Sequence, residues 1–207
     1  MANSPSPIRL VIFDMDDVLL HYDVQARQSA IARMAGIEPE EVARRIWDSG
    51  IEDAADAGRL SAQAYLDAVA ATLGIPFGED DWLRTRGLAM TLTPDTIGLA
   101  AEVARRTPVA LLTNNGHLMK THFDTLVPEL RAVFGPNMHV AAEFGTKKPD
   151  PAIFRRLAAL YGAAPEQAVM IDDKEANTAG ALDAGLLAHR FRAAGELDAY
   201  LRAHSLI

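Results

Sequence analysis

Four short runs of β-branched and large apolar residues punctuate the chain: Ile8 to Phe13, Val109 to Leu112, Met138 to Ala142 and Ala168 to Ile171. None alternates cleanly with polar residues, so each predicts a strand buried on both faces, as in a parallel sheet. Leu186-Leu-Ala-His189 predicts a weaker fifth. Between them, helical patterns cover residues 96–106, 117–126, 151–161 and 175–184. Strands alternating with helices of this length predict right-handed βαβ crossovers. The fold class is α/β, with a doubly wound, Rossmann-like parallel sheet core.

From Asp23 to Leu92 that rhythm stops. The stretch is Ala-rich, carries no convincing strand and predicts four or five short helices. Breaks fall at Gly36, Pro39, Gly50, Gly58, Gly74-Ile-Pro76 and Gly78. Asp23 and Ser61 stand where N-caps are needed. An all-helical cap over residues 21–92 is therefore expected, inserted after the first strand into an α/β core of residues 8–20 and 93–207. It would lie over the C-terminal edge of the sheet, where open α/β folds place their ligands.

The 207 residues fit one domain with an insertion, and 49% hydrophobic against 23% charged residues excludes wholesale disorder. With 20 Lys and Arg against 28 Asp and Glu, the net charge is −8. That field repels phosphate polymers, so neither nucleic acid nor an anionic membrane is expected as a partner. An anionic small molecule must instead meet local positive charge. Without cysteine, a disulfide framework and thiol catalysis are excluded. Met1 to Pro7 is a polar stub without the features of a leader peptide, and no apolar run approaches the roughly 20 residues of a membrane span. A cytoplasmic monomer or homodimer is expected.

Chemistry gathers at the strand ends. Asp14-Met-Asp16-Asp17 sets three carboxylates in four residues directly after a buried strand, where they repel unless a cation or proton is supplied. If the strand runs on to Asp16, Asp14 and Asp16 point the same way. The bland reading is a solvated acidic turn. Thr113-Asn114-Asn115-Gly116 ends the second run, and a hydroxyl with backbone N–H groups ahead of a helix can hold phosphate oxygens, although an ordinary βα turn uses the same residues. Lys147-Lys148-Pro149-Asp150-Pro151 fixes a lysine beside a proline turn, where most lysine pairs are simply solvated. Asp172-Asp173 follows the fourth run, with Asn177 on the first turn of the next helix. Oxygen ligands on such loops suit magnesium, while the plain alternative is helix capping by Asp173. In a parallel sheet these four ends share one edge, so the groups converge.

In order and type, these motifs closely resemble those of the haloacid dehalogenase superfamily of aspartyl-phosphate-forming hydrolases, and the resemblance covers essentially the whole chain. It makes Phe13-Asp14-Met15-Asp16 the first motif, Thr113 the second, Lys148 (the lysine directly before proline) the third and Asp172-Asp173 the fourth. The helical insertion is similar to the family's smaller cap. The resemblance implies a magnesium-dependent phosphatase acting on a small organic phosphate monoester. Asp14 would be its nucleophile and Asp16 its proton donor and acceptor. Lys148, Thr113 and the Asn114 N–H would hold the phosphoryl oxygens. Magnesium would be held by Asp14, the Asp16 backbone carbonyl and Asp173, with Asp172 in support. The stretches around Lys148 and Asp172 resemble the branch of sugar-phosphate phosphatases and the epoxide-hydrolase phosphatase domain. Asp17 departs from the pattern, standing where phosphatases usually carry Gly.

Other readings share parts of this pattern. A receiver domain gathers similar residues, but it resembles a shorter chain with the acidic pair first. A dehalogenase would lack the second Asp of the first motif. A phosphomutase would keep all four motifs, and a non-catalytic phosphate-binding module would keep the fold. The cap offers His21, Tyr22, Arg44, Arg45, Trp47, Trp82, Arg84 and Arg86 as candidates for substrate choice.

Overall fold

The computed structural model describes residues 7–207, so the stub expected at Met1 to Pro7 lies outside them except for Pro7. Strand β1 (Leu10–Phe13) leads through a tight loop into β2 (Leu20–Tyr22). A helical segment follows: α1 (Val24–Ala35), α2 (Pro39–Val42) running on through a π-turn, α3 (Ile51–Asp56), α4 (Ala62–Leu73) and α5 (Glu79–Gly87). Strand β3 (Met90–Leu92) then returns antiparallel to β2. After it come α6 (Pro94–Ala104), β4 (Val109–Thr113), α7 (His117–Leu126), α8 (Pro128–Phe134) and β5 (Met138–Val140). The chain closes with α9 (Pro151–Leu160), β6 (Ala168–Asp172), α10 (Glu175–Asp183), β7 (Leu187–Arg190) and α11 (Ala194–Ala203).

The main sheet runs β5-β4-β1-β6-β7 and is parallel throughout. Strand side chains alternate across it and feed two cores. Val11, Phe13, Leu111 and Ile171 belong to one, with residues of α6, α8 and α11. Leu10, Ile12, Leu112 and Met170 belong to the other, with residues of α9 and α10. Both faces are therefore covered, which is why these strands read as unbroken apolar runs. Chain direction leaves β1 toward β4 on one side and β6 on the other, so the C-terminal ends of these three strands adjoin.

The helical segment begins and breaks where its sequence requires. Asp23 accepts the Ala26 N–H at 2.9 Å and Ser61 accepts the Ala64 N–H at 3.2 Å, while Gly36 and Gly74 close α1 and α4 in the left-handed region. Between β2 and β3 this segment is helical. Its base is not. The β2–β3 ribbon pairs Leu20 with Leu92 and Tyr22 with Met90, inside and beside a stretch read as strand-free. Three residues per strand are too few to display a period, and the pairing partner lies 70 residues away. Two other departures are local. Strand β5 stops at Val140 because Ala141–Phe144 turns as a short 3₁₀ helix, capped by Glu143 on the Val140 N–H. Helices α8 and α11 lie outside the segments read as helical, one introduced by Pro128 and the other packed through Leu197 and Leu201. Among the described residues no helix is long and apolar enough to cross a membrane.

Candidate active site

Strand β1 ends one residue before Asp14, a residue only 4% exposed. Its Oδ1 accepts the Met15 N–H at 2.7 Å and lies 2.8 Å from Lys148 Nζ. The same Nζ donates to Asp172 Oδ2 at 2.6 Å, at the end of β6. A lysine ammonium thus bridges two carboxylates from neighbouring strands, all three of them buried. The second oxygen of Asp172 accepts from Asn177 Nδ2 at 2.9 Å and from the Lys174 N–H at 3.0 Å. Helix capping by Asp173 does not occur. That contact with the Lys174 N–H belongs to Asp172.

Two features of the sequence hold Lys148 there. Asn114 grips its peptide from both sides, accepting the Lys148 N–H at 2.9 Å and donating to the Lys148 carbonyl at 2.8 Å. The following Pro149, joined by a cis peptide bond, packs against α10 at Gly180. A Cβ at position 180 would lie 2.0 Å from the Pro149 carbonyl oxygen, so only glycine lets the lysine loop approach so closely. Lys147 points elsewhere, to Asp53 of the helical segment. Lys148, not Lys147, is the lysine that reaches Asp14 and Asp172.

Burial acts against charge at this edge. It pushes the Asp14 carboxyl well above the usual range, a rise opposed by Lys148 and reinforced by Asp172. On Lys148 burial acts downward, but Asp14 and Asp172 outweigh it and raise the ammonium pKa. Asp173 is raised by burial and by Asp172. Asp173 Oδ1 is also buried without a hydrogen-bond partner. Asp14, Asp172 and Asp173 each offer one oxygen, all within 4.8 Å of one another. An orphaned buried oxygen among three clustered carboxylates is the donor set that a hard divalent cation satisfies. The residues fit magnesium.

Asp16 is placed differently from its sequence expectation. The strand stops at Phe13, and Met15 O accepts N–H groups from Val18, Leu19 and Leu20, so the chain turns instead of extending to Asp16. The Asp16 side chain leaves the acidic cluster and receives Arg86 Nη2 on both oxygens, at 2.9 and 3.0 Å. Asn115 Nδ2 adds a contact at 3.3 Å while also donating to Thr113 Oγ1 at 2.7 Å. Burial tends to lower the Arg86 pKa, but Asp16 and Tyr22 outweigh it and raise the guanidinium above its ordinary value. Asp17 adopts φ 61°, the left-handed region that favours glycine. Its carboxylate turns toward the ribbon, accepting the Tyr22 N–H at 3.1 Å. A local side-chain bond of this kind is how Asp tolerates such a backbone.

Above the strand ends lies an open cleft of about 330 Å³, walled by Tyr22, Trp47, Glu52, Asp56 and Arg86 from the ribbon and helical segment, and by Asn114 and Asn115 from the core. Of the eight candidates for substrate choice, Tyr22, Trp47 and Arg86 line this cleft. His21 pairs with Asp17, Arg44 and Arg45 pair with Glu41, and Arg84 pairs with Asp81. Trp82 is buried. Sequence reasoning missed Arg27, which is 1% exposed and donates to Tyr22 Oη, Glu52 Oε1 and Tyr65 Oη. It also missed the role of Asn115. No local signal marks either, since their partners are remote in the chain or depend on side-chain direction.

Comparison with known proteins defines the class as hydrolase: a family model for haloacid dehalogenase-like hydrolases matches residues 8–185. The chain belongs to the haloacid dehalogenase-like hydrolases. A phosphatase of Mycobacterium tuberculosis (strain CDC 1551 / Oshkosh) is 26% identical over 195 residues, covering 91% of this chain and 89% of that protein. The fold is shared with a haloacid dehalogenase family enzyme of Bacteroides thetaiotaomicron in complex with magnesium and inorganic phosphate. That match has a TM-score of 0.78 and 17% identity, covering 90% of this chain and 95% of the other. It is shared as well with L-2-haloacid dehalogenase of Xanthobacter autotrophicus, with TM-score 0.64, 21% identity and coverage of 97% and 84%.

Proposed function

We propose that this hydrolase is a magnesium-dependent phosphatase that cleaves a small organic phosphate monoester through a phosphorylated Asp14. The observation that carries the reading is Lys148 Nζ held between Asp14 and Asp172, beside the unpartnered oxygen of Asp173. The phosphatase relative in Mycobacterium tuberculosis and the magnesium and phosphate bound by the Bacteroides enzyme support it.

In this reading Asp14 Oδ attacks phosphorus in line, and the bond from phosphorus to the ester oxygen breaks. Asp16 gives its proton to the departing alkoxide. Asp16 then takes a proton from water, whose oxygen attacks the same phosphorus. The bond from phosphorus to the Asp14 oxygen breaks, releasing inorganic phosphate and restoring the carboxylate. Lys148, the Thr113 hydroxyl and the Asn114 N–H hold the phosphoryl oxygens. Asp14, Asp173 and the Asp16 carbonyl would hold magnesium, with Asp172 in support because Lys148, Asn177 and Lys174 already occupy its oxygens. When bound, the ion neutralises carboxylate and phosphate charge.

The helical insertion acts as the cap. Its Tyr22-, Trp47- and Glu52-lined cleft suits a small polyhydroxylated leaving group, and a sugar phosphate is the class we favour. We assign the protein to the cytoplasm, as a monomer or homodimer acting on a soluble metabolite, without nucleic-acid or membrane partners. Dehalogenation is disfavoured by Asp16, since a departing halide needs no proton.

The test is phosphate release from a panel of phosphorylated metabolites, with and without magnesium, alongside chloride release from 2-chloropropionate. Magnesium-dependent hydrolysis of one or more small monoesters is expected. Chloride release without phosphate release would overturn the reading.

Metal binding has its own signature. Magnesium at about a hundred times its dissociation constant should stabilise the fold by about 2.7 kcal/mol. Asp173→Ala should abolish most of that gain in thermal melts while leaving the metal-free melt close to wild type. Asp172→Ala should lower the metal-free melt itself, because Lys148 and Asn177 lose a buried partner. An unchanged wild-type melt on adding magnesium would remove the metal from the site.

A further inference from the structure

Arg86 sits on α5 of the helical insertion, is 3% exposed, and sends Nη2 to both oxygens of Asp16 in the core loop. Its guanidinium also lies 3.9 Å over the Tyr22 ring, so the ribbon fixes its direction. Arg27, another buried arginine of the insertion, provides the contrast. Its partners Tyr22, Glu52 and Tyr65 all belong to the ribbon and the insertion, so its charge is balanced there. The charge of Arg86 is balanced across the boundary, by a carboxylate of the first motif. Asp16 Oδ2 also receives Asn115 Nδ2, which is tied to Thr113 at the end of β4. Asp16 is therefore held from two bodies at once.

We propose that Arg86 is a positioning residue that ties the placement of the Asp16 carboxylate to the seating of the insertion on the core. It follows that esters whose leaving oxygen needs a proton are turned over only with the insertion in place. This inference rests on the phosphatase reading above. An alkyl phosphate loses a poor alkoxide and depends on where Asp16 stands, whereas p-nitrophenyl phosphate loses a stable phenolate and depends on it little. The specificity constant reports the steps through the first departure, so the two substrates separate the roles.

Wild type, Arg86→Met and Arg86→Lys are to be compared for kcat/KM on the fastest alkyl phosphate of the panel and on p-nitrophenyl phosphate. Melts would run in parallel. Arg86→Met should lose at least about tenfold on the alkyl ester and less than about threefold on the aryl ester. Arg86→Lys keeps the charge but changes its geometry, so its alkyl-to-aryl ratio should fall between those of wild type and Arg86→Met. If Arg86→Met does not fold, a lowered ratio in Arg86→Lys carries the same result. Parallel losses on both substrates would mark a purely structural residue and overturn the assignment. Absence of phosphate release by wild type from every monoester of the panel would overturn the phosphatase reading itself, a separate failure.

Discussion

Asp14→Asn is expected to lose at least about 10³-fold in turnover, a barrier increase of ~4 kcal/mol, on every substrate the wild type hydrolyses. An amide nitrogen and its carbonyl oxygen are poor nucleophiles, and no neighbouring group can replace the lost one. Lys148 is pinned to Asp172, and Asp173 lies with it at the end of another strand. Stability should survive. The amide oxygen can still accept the Met15 N–H, Lys148 keeps Asp172, and one fewer charge is buried. Steady-state rates on p-nitrophenyl phosphate beside a thermal melt check both halves. Retention of more than about a hundredth of wild-type activity would remove Asp14 from the role, since a nucleophile is worth more than ~3 kcal/mol.

Asp16→Asn is expected to lose comparable turnover on alkyl phosphates for another reason. The amide neither protonates the departing alkoxide nor accepts the proton of the attacking water. Its effect should depend on the leaving group. Phosphorylation by p-nitrophenyl phosphate should be slowed least, and hydrolysis of the phosphorylated protein should be slowed with every substrate. Arg86 would also lose its anionic partner, keeping only one neutral amide acceptor while remaining buried, a cost of roughly 1–3 kcal/mol in stability. Rapid-mixing kinetics on an aryl and an alkyl ester check the asymmetry. Equal slowing of both first steps would deny Asp16 its role as acid.

The core was legible because its strands are buried on both faces. Such strands have no polar alternation to dilute the signal, and three of the four end at, or one residue before, side chains that an isolated turn does not require. Asp14, Thr113, Lys148 and Asp172 are brought to one edge as the parallel pattern implies. The family resemblance points to Lys148, the lysine before proline, which contacts Asp14 and Asp172 here, and Asn177 fastens the fourth loop. What stayed hidden was long in range or short in length. The β2–β3 ribbon joins two three-residue strands across the whole insertion, and the Arg86–Asp16 pair spans the same distance. Local propensity carries no information about either. The direction of Asp16 hangs on where the strand stops, and beyond Phe13 the Met15 carbonyl gathers three N–H groups into a turn. Asp17 was visible as a departure from glycine, but its adaptation was not, since the compensating bond goes to the Tyr22 backbone five residues on.

The central claim is that phosphate passes through a covalent bond to Asp14, and the most direct measurement is rapid-quench mass spectrometry of Asp16→Asn mixed with p-nitrophenyl phosphate and magnesium. Phosphorylation should still proceed there, because nitrophenolate leaves without a proton, while hydrolysis waits on the missing base. The account predicts an acid-trapped phosphoryl group on the peptide containing Asp14, absent from the Asp14→Asn, Asp16→Asn double variant. Nitrophenolate release by Asp16→Asn with no phosphoryl group on that peptide at any quench time would contradict it.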